Sequence, residues 1–142
     1  MDAGWSRARF ADARVARLAT VDAGGRPHLV PFVFVLIGDD LYSAVDAKPK
    51  SSSRLRRLAN IRANPAVSVL VDHYADDWSQ LWWARADGIA RVLDVTDTGA
   101  AVEALAERYS QYRDAPPPGP VIAISIHKWS GWAVSAPPVT GR

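Results

Sequence analysis

The sequence predicts a mainly β domain, in which an antiparallel sheet of about six strands closes into a small barrel with helices packed outside it. Short segments rich in Val, Ile, Leu and aromatic residues recur along the chain, and the first three are joined by turns of only a few residues. Such tight turns connect antiparallel strands and exclude a parallel, doubly wound sheet. With 142 residues and no internal repeat, the chain is predicted to form a single domain over residues 1–142.

The first half of the chain predicts a short helix at residues 5–13 and then a three-stranded meander. The three strands are predicted at residues 16–22, 27–37 and 41–45. Paired glycines after the first strand tolerate the positive φ of a turn. Pro31 lies inside the second strand. Because proline has no N–H to donate to a ladder, it predicts an edge position, a bulge or a gap there.

The next part of the chain predicts a helix followed by two β segments. One of the serines at 51–53 caps the helix, and Pro65 prevents it from continuing. Residues 66–72 predict a strand, and residues 78–94 predict a long strand or a bent pair with a bulge at Gly88. The residues expected to face the core are Leu55, Leu58 and Ile61 on the helix and Val67, Val69 and Val71 on the first of these strands.

A second long helix and a last strand complete the predicted fold. Asp97 or Thr98 caps this helix, and the last strand covers residues 121–129. The apolar faces are predicted to be Val102, Leu105, Tyr109 and Tyr112 on the helix and Ile122, Ile124 and Ile126 on the strand.

The composition excludes several classes of site. The chain contains no cysteine, which excludes disulfides, thiolate metal ligands and cysteine nucleophiles. His28, His73 and His127 lie on different elements, and neither a paired-carboxylate spacing nor a GxSxG sequence is present, so metal-dependent and serine-dependent hydrolysis lack support. The start lacks a signal-peptide pattern and no apolar stretch is long enough for a bilayer, so we expect a cytoplasmic protein without membrane insertion.

A basic segment lies between the third strand and the helix that follows it. The chain has fourteen arginines and three lysines, yet Lys48 and Lys50 flank Pro49 in AKPKSSS. Hydroxyls and cations at a helix N-terminus suit a phosphate group. Two interpretations stay open, namely a phosphate site and a solvated basic loop with an ordinary serine cap. A formal net charge of +2 with one local basic patch suits a small anion better than a long nucleic acid.

The six tryptophans are a second unusual feature. Trp78, Trp82 and Trp83 fall within six positions, and in a strand Trp82 and Trp83 must point to opposite faces. One of them can fill the core. The other is then exposed, or buried by a partner chain, and the alternative is that these residues are ordinary core.

Three blocks of the sequence, ARLATVDAGGRPHLVPFVF, LYSAVDAKPKSSSRLRRLANIRANPAVSVLVD and WWARADGIARV, resemble the pyridoxamine 5′-phosphate oxidase-like split β-barrel family. The resemblance covers about residues 8–134 and is strongest to the actinobacterial deazaflavin-dependent oxidoreductases, which use coenzyme F-420. It implies a homodimer of six-stranded antiparallel split barrels, with two cofactor sites in the grooves between the chains.

The resemblance also implies a set of cofactor-binding residues. The cofactor ring is expected against the second and third strands, the phosphate at the end of the third strand and in the basic loop, and a tryptophan of the partner chain near the ring. The corresponding positions are Pro31, Phe32, Val33 and Phe34 for the ring, Ser43, Lys48, Pro49, Lys50, Ser51 and Arg54 for the phosphate, and Trp82 or Trp83 for the partner's contribution.

Two departures from the family pattern bear on the cofactor. The flavin-using oxidases carry a serine-arginine-lysine run where this chain has Lys48, Pro49 and Lys50, and they end in an arginine-rich segment where this chain has VSAPPVTGR. We therefore expect an oxidoreductase in which reduced coenzyme F-420 passes hydride to a conjugated small-molecule acceptor. The proton donor is left open between His28, His73 and solvent.

Other functions are carried as alternatives. The first keeps the fold and replaces coenzyme F-420 by FMN. The second is a non-catalytic cofactor carrier or sensor. Nucleic-acid binding would rest only on the basic segment and the tryptophans, and we do not expect it.

Overall fold

The computed structural model describes residues 1–45, 52–117 and 119–134, with side chains from residue 56 onward in the helix that begins at Ser52. The helices are α1 (Ala3–Asp12), α2 (Ser52–Ala63), α3 (Gly99–Arg108) and α4 (Ser110–Asp114). The strands are β1 (Ala16–Val21), β2 (Pro27–Phe32), β3 (Val35–Ile37), β4 (Asp40–Ala44), β5 (Ala66–His73), β6 (Trp82–Leu93) and β7 (Val121–Ala133). Two 3₁₀ turns, Trp78–Gln80 and Val95–Asp97, precede β6 and α3.

The described residues form one antiparallel sheet of seven strands, where the sequence predicted six. The difference arises in the segment 27–37, which was expected to be one strand and is divided at Val33 and Phe34 into β2 and β3. β2 pairs with β1, and β3 pairs with β4. The segment must break because its two halves belong to opposite edges of the sheet.

The order of strands in the sheet is β2-β1-β5-β6-β7-β4-β3. The two edge strands are therefore consecutive in the chain and only two residues apart. The sheet must curl to bring its two edges near each other, which gives a barrel that is split between β2 and β3. Pro31 lies in β2, which confirms its predicted edge position, since an edge strand leaves one row of N–H groups without a ladder partner.

The longest strand pair, β6 and β7, curves around the core. The register between them shifts between Asp87 and Gly88, which confirms the predicted bulge. A Cβ atom built on Gly88 would lie 2.5 Å from the carbonyl oxygen of Ser125, so the backbones approach too closely for any side chain at this position. β7 also continues to Ala133, four residues beyond the predicted strand.

The interior of the barrel holds the apolar residues that the sequence pattern selected on three elements. Val67, Val69 and Val71 all point inward from β5, with exposures of 5% or less. Leu58 and Ile61 of α2 are buried as predicted, while the side chain of Leu55 lies outside the described residues. The fully buried large side chains around them are Phe10, Leu18, Phe34, Leu41, Ile122 and Ile124.

The predicted second long helix is interrupted at Tyr109. α3 ends at Arg108 and α4 begins at Ser110, because Tyr109 adopts an extended conformation with φ −123° and ψ 117°. This conformation turns the Tyr109 side chain into the protein, where it is 94% buried beside Leu105. Thr98 occupies the N-cap position of α3, and its hydroxyl donates to the carbonyl oxygen of Val95.

Among the described residues, no helix combines the length and the apolar character needed to cross a bilayer.

Candidate functional site

A pocket of about 210 Å³ opens where β2 ends and the chain crosses to β3. We call it the strand-break pocket. Its walls are Pro31, Phe32, Val33, Ser43, Ala44, Arg57 and Tyr112. The structure thus brings together four residues that the family resemblance placed at the cofactor, namely Pro31, Phe32, Val33 and Ser43.

Ser43 fixes the geometry of the break. Its side chain is 99% buried, and its hydroxyl donates to the carbonyl oxygen of Val33 at 2.8 Å. Val33 belongs to neither strand, so its carbonyl has no ladder partner, and the hydroxyl satisfies it. Since this hydroxyl donates inward, Ser43 holds the floor of the pocket in place.

Phe34 lies behind the pocket rather than in its wall. Its ring is fully buried and packs edge-on against Phe10 at 6.0 Å and at a tilt against Phe32 at 5.8 Å. The hydroxyl of Tyr109 lies against its backbone, accepting from the N–H at 3.2 Å and donating to the carbonyl oxygen at 2.9 Å. Phe34 therefore supports the break from the core side, and its predicted contact with a cofactor stays a prediction.

Three residues of the strand-break pocket were missed by sequence reasoning, namely Ala44, Arg57 and Tyr112. Arg57 comes from α2 and Tyr112 from α4, and both are half-buried. Arg57 lies in the basic run RLRR, three residues after the predicted phosphate ligand Arg54, which is the signal that pointed to this helix face. Tyr112 was expected only as part of an apolar helix face. The direction of the Tyr112 side chain depends on the interruption of the helix at Tyr109, which no local sequence motif predicts.

The basic loop of the predicted phosphate site lies outside the described residues. This applies to Lys48, Pro49, Lys50 and Ser51, and also to the side chain of Arg54. The two elements that flank the loop are described, and both contribute to the strand-break pocket, β4 through Ala44 and α2 through Arg57. The assignment of a phosphate to this loop stays a prediction.

Trp82 and Trp83 have different surroundings, as adjacent residues of a strand must. Trp82 faces α1, where its ring meets the edge of Trp5 at 6.0 Å, stacks on His73 at 6.3 Å and carries the Arg9 guanidinium at 5.9 Å. Trp83 faces the other side of the sheet, with the guanidinium of Arg85 at 5.7 Å from its ring.

The face of the sheet that carries Trp83 is aromatic and partly exposed. A shallow cavity of about 260 Å³ on it, here called the outer groove, is lined by Leu70, Asp72, Tyr74, Trp83 and Arg85. Trp132 lies directly opposite Trp83 across the β6–β7 ladder and is 44% exposed, and Tyr74 is 68% exposed. Exposed aromatic side chains in one area are typical of surfaces that contact another molecule, and the contact with a partner chain stays a prediction.

Register connects the outer groove to the strand-break pocket. Pro31 lies opposite Arg17, Arg17 opposite Leu70, and Leu70 opposite Arg85. Residues directly opposite in antiparallel strands share a face, so all four side chains lie in one row across four strands. With strands spaced by about 4.8 Å, Pro31 and Arg85 lie roughly 14 Å apart on the same surface.

A turn stabilised by a carboxylate holds the entry to β6. The backbone N–H and hydroxyl of Ser79 donate to the carboxylate of Asp77 at 3.0 and 2.6 Å. These hydrogen bonds hold the pKa of Asp77 below its ordinary range. In the part of the chain that the structure describes, no three His, Cys, Asp or Glu side chains are grouped closely enough to hold a metal ion.

Comparison with protein families shows to which family the chain belongs. The family model for pyridoxamine 5′-phosphate oxidase matches residues 6–133, nearly the whole chain. The chain belongs to this family. The resemblance found in the sequence is thus confirmed at the level of the pyridoxamine 5′-phosphate oxidase family, while the coenzyme F-420 branch stays a prediction. A search of curated proteins found no match.

Solved structures share the fold of this pyridoxamine 5′-phosphate oxidase family member at low sequence identity. A conserved hypothetical protein from Mycobacterium tuberculosis superimposes with a TM-score of 0.75 and 19% identity, over 94% of this chain and 86% of that one. A FAD-binding protein from Mesorhizobium loti gives a TM-score of 0.72 and 23% identity, over 92% and 94%. HutZ, the heme storage protein of Vibrio cholerae, gives 0.70 and 16%, over 94% and 95%.

These likenesses establish the architecture, a mainly β split barrel with flanking helices. At identities below 25% they do not carry a ligand from one protein to another. Neighbours with this fold include a FAD-binding protein and a heme storage protein.

Proposed function

We propose that this protein is an oxidoreductase that binds a phosphate-bearing tricyclic redox cofactor, coenzyme F-420, in the strand-break pocket and transfers hydride between it and a conjugated small-molecule acceptor. The observation that carries the proposal is the convergence of Pro31, Phe32, Val33 and Ser43 on one pocket, to which β4 and α2, the two elements that flank the basic loop in the sequence, both contribute. These residues come from the end of β2, from the break itself and from β4. The family resemblance implied the same residues for the ring and the phosphate end.

The chemistry of the pocket fits such a cofactor. Phe32 and Val33 supply apolar surface for a flat ring, and Arg57 supplies a guanidinium for a phosphate or carboxylate oxygen. Lys48 and Lys50 of the neighbouring loop add further cations in the sequence. The tail of coenzyme F-420 is polyanionic. It therefore matches this concentration of positive charge better than a single phosphate group does.

The size of the pocket argues for a second chain. A volume of about 210 Å³ is below the roughly 300–1,000 Å³ of typical ligand pockets, so one chain encloses only part of a tricyclic cofactor. The exposed aromatic outer groove lies in register on the same surface. We propose a homodimer in which Trp83 of one chain approaches the pocket of the other, because Trp82 is already engaged by Trp5 and His73.

The residues of the chain bind and orient, and the bound cofactor supplies the hydride chemistry. Arg57 and the lysine loop hold the anionic end, and Phe32 and Val33 present an apolar wall to one ring face. The hydroxyl of Ser43 donates to the Val33 carbonyl oxygen and keeps it turned inward, so this carbonyl does not accept a hydrogen bond from the ligand. Closure by the partner chain excludes water, which shields hydride transfer from solvent.

FMN is the second candidate cofactor. The likeness to a FAD-binding protein of the same fold favours it, and the pocket walls suit an isoalloxazine ring as well as a deazaflavin. A heme storage protein among the neighbours favours a third candidate, a non-catalytic cofactor carrier.

Calorimetric titration of the purified protein with coenzyme F-420 and separately with FMN tests the proposal. We expect tight binding of coenzyme F-420, weak binding of FMN, and oxidation of the reduced deazaflavin on addition of quinone acceptors. Preference for FMN would replace the cofactor and keep the pocket. Tight binding without turnover of any conjugated acceptor would indicate a carrier, and binding of neither cofactor would refute the assignment of the pocket.

A further inference from the structure

Three arginines, Arg9, Arg14 and Arg17, line a cavity of about 400 Å³ between α1 and the sheet. We call it the arginine cavity. Its walls include Arg9 of α1, Arg14 from the α1–β1 connection, Arg17 of β1, and the pair His73 and Trp82 from the adjoining ends of β5 and β6. It shares no lining residue with the strand-break pocket.

The guanidinium groups of Arg9 and Arg14 are held in place by aromatic rings. Arg9 lies over the rings of Trp5 and Trp82, at 5.4 and 5.9 Å from their centroids. Arg14 lies over Tyr109 at 4.8 Å and donates one hydrogen bond to the carbonyl oxygen of Arg108. Groups that are ordered before binding lose less entropy when a ligand arrives, so both arginines are preorganised.

Most of the N–H donors of Arg9 and Arg14 make no hydrogen bond among the described residues. The Nε of Arg9 is buried and has no hydrogen-bond partner among the described residues. Asp12 and Asp72 also line the cavity, yet the ion pairs in the described part of the chain are Arg7–Asp39 and Arg85–Asp87. The positive charge of the cavity is therefore not neutralised by direct contact, and a buried donor without a partner favours an arriving acceptor.

One wall of the cavity is flat. The rings of His73 and Trp82 are nearly parallel, with an interplanar angle of 22° and centroids 6.3 Å apart. His73 is exposed. An aromatic ligand can extend this stack while its charged group faces the arginines, since a guanidinium pairs with a carboxylate through two parallel hydrogen bonds.

From these observations we infer that the arginine cavity is a second binding site, which takes a small aromatic carboxylate. The carboxylate pairs with Arg9 and Arg14, and the ring lies along the His73–Trp82 wall. Arg17 reaches the rim of the cavity from the other face of the sheet and attracts the anion. The site is independent of the cofactor pocket, so it is expected to bind ligand in the absence of any cofactor.

The test uses benzoate as the probe and benzamide as its uncharged counterpart. Each is titrated into the full-length protein while the indole N–H resonance of Trp82 is followed by NMR, the signal being assigned from Trp82→Phe. Benzoate is expected to shift this resonance in a saturable manner, and benzamide is expected to leave it unchanged. Equal shifts with both compounds, or no shift with benzoate, would overturn the inference.

Charge-removing variants locate the site. Arg9→Gln and Arg14→Gln are each expected to weaken benzoate binding by about tenfold or more, the effect of losing a hydrogen bond to a charged group. Arg17→Gln changes an exposed strand residue, so it tests the rim without disturbing the core, and a severalfold loss is expected. Arg26→Gln, on the exposed β1–β2 turn, is the matched control. Benzoate affinity that is unchanged in all three cavity variants contradicts the site.

Discussion

The hydroxyl of Tyr109 and the backbone of Phe34 form a reciprocal pair of hydrogen bonds, with distances of 3.2 Å from the Phe34 N–H and 2.9 Å to its carbonyl oxygen. Phe34 lies in the break between β2 and β3, where no neighbouring strand supplies these bonds. The side chain of Tyr109, at the interruption between α3 and α4, therefore makes the hydrogen bonds to Phe34 that a neighbouring strand would otherwise make.

Tyr109→Phe removes this hydroxyl and leaves the buried N–H of Phe34 without an acceptor. We expect the free energy of unfolding to fall by about 1–3 kcal/mol, the cost of an unsatisfied buried polar group. Urea denaturation monitored by tryptophan fluorescence measures the effect. Tyr42→Phe is the control, because its hydroxyl makes only a long 3.5 Å contact to Asp40. Equal losses in the two variants would contradict the role of Tyr109.

Gly88→Ala tests the close approach of β6 and β7. The new Cβ atom would lie 2.5 Å from the Ser125 carbonyl oxygen and 2.8 Å from a methyl carbon of Ile124, so the strands must separate. We expect a loss of about 1–3 kcal/mol in the free energy of unfolding. In contrast, Gly99→Ala at the start of α3 meets no atom within 4 Å and is expected to stabilise by about 0.4–1 kcal/mol. Thermal unfolding of both variants checks the opposite signs.

Replacing the cations around the strand-break pocket tests the proposed anion binding. Lys50→Ala and Arg57→Ala are each expected to weaken cofactor binding by about 1–3 kcal/mol, through loss of a charge-assisted hydrogen bond. Arg113→Ala, an exposed residue of α4, serves as the control in the same calorimetric titration. If Lys48→Ala, Lys50→Ala and Arg57→Ala all retain the original affinity, the cofactor phosphate is held elsewhere.

The two neighbouring tryptophans are expected to respond differently to truncation. Trp83→Ala should leave the stability of the single chain nearly unchanged and weaken self-association, because Trp83 lines the exposed outer groove. Trp82→Ala should instead lower the free energy of unfolding by about 1–3 kcal/mol, since its half-buried ring packs on Trp5 and His73. Sedimentation velocity and urea denaturation separate the effects. A wild-type protein that remains monomeric at high concentration would remove the basis for the dimer.

The turn between β1 and β2 is expected to make stability depend on pH. The backbone N–H groups of Arg26 and Gly24 donate to the carboxylate of Asp22 at 2.9 Å, and these bonds lower its pKa, that of Arg26 being the main cause. A lowered pKa in the folded state means that the stabilisation is complete above the ordinary carboxyl pKa, near 3.8, and is lost as the pH falls through the lowered value.

An NMR titration of the Asp22 carboxyl between about pH 6 and pH 2 measures the pKa directly. The Asp22→Ala variant should lose the corresponding part of the acid dependence of unfolding. A midpoint at or above the ordinary aspartate value would show that the hydrogen bonds of the turn do not favour the charged form.

Much of the fold follows from local pattern. The alternation of Val67, Val69 and Val71, the bulge at Gly88 and the edge position of Pro31 all depend on rules that act within a few residues. The break at Val33 and Phe34 does not, because its cause is the global closure of the sheet. A continuous apolar run gives no sign of where a strand must pass from one edge to the other.

The candidate site shows the same division. Pro31 to Val33 and Ser43 could be selected from the sequence, because they lie in blocks that resemble the family. Arg57 and Tyr112 reach the pocket only through the packing of α2 and α4, and the direction of Tyr112 depends on the extended backbone of Tyr109. Contacts between elements distant in the chain are not encoded in the spacing of either element.

The order of the strands in the sheet also determines how long β4 lacks a partner strand while the chain is being synthesised. β4 has only two neighbours in the sheet, β3 beside it in the chain and β7, which begins at Val121. At about 5–20 residues per second, the ribosome needs on the order of several seconds to advance from β4 to β7. During that interval β4 presents an open row of N–H and carbonyl groups, which is a template for pairing with other chains. Chains that terminate before Val121 can never fill that position, so they are expected to aggregate rather than fold.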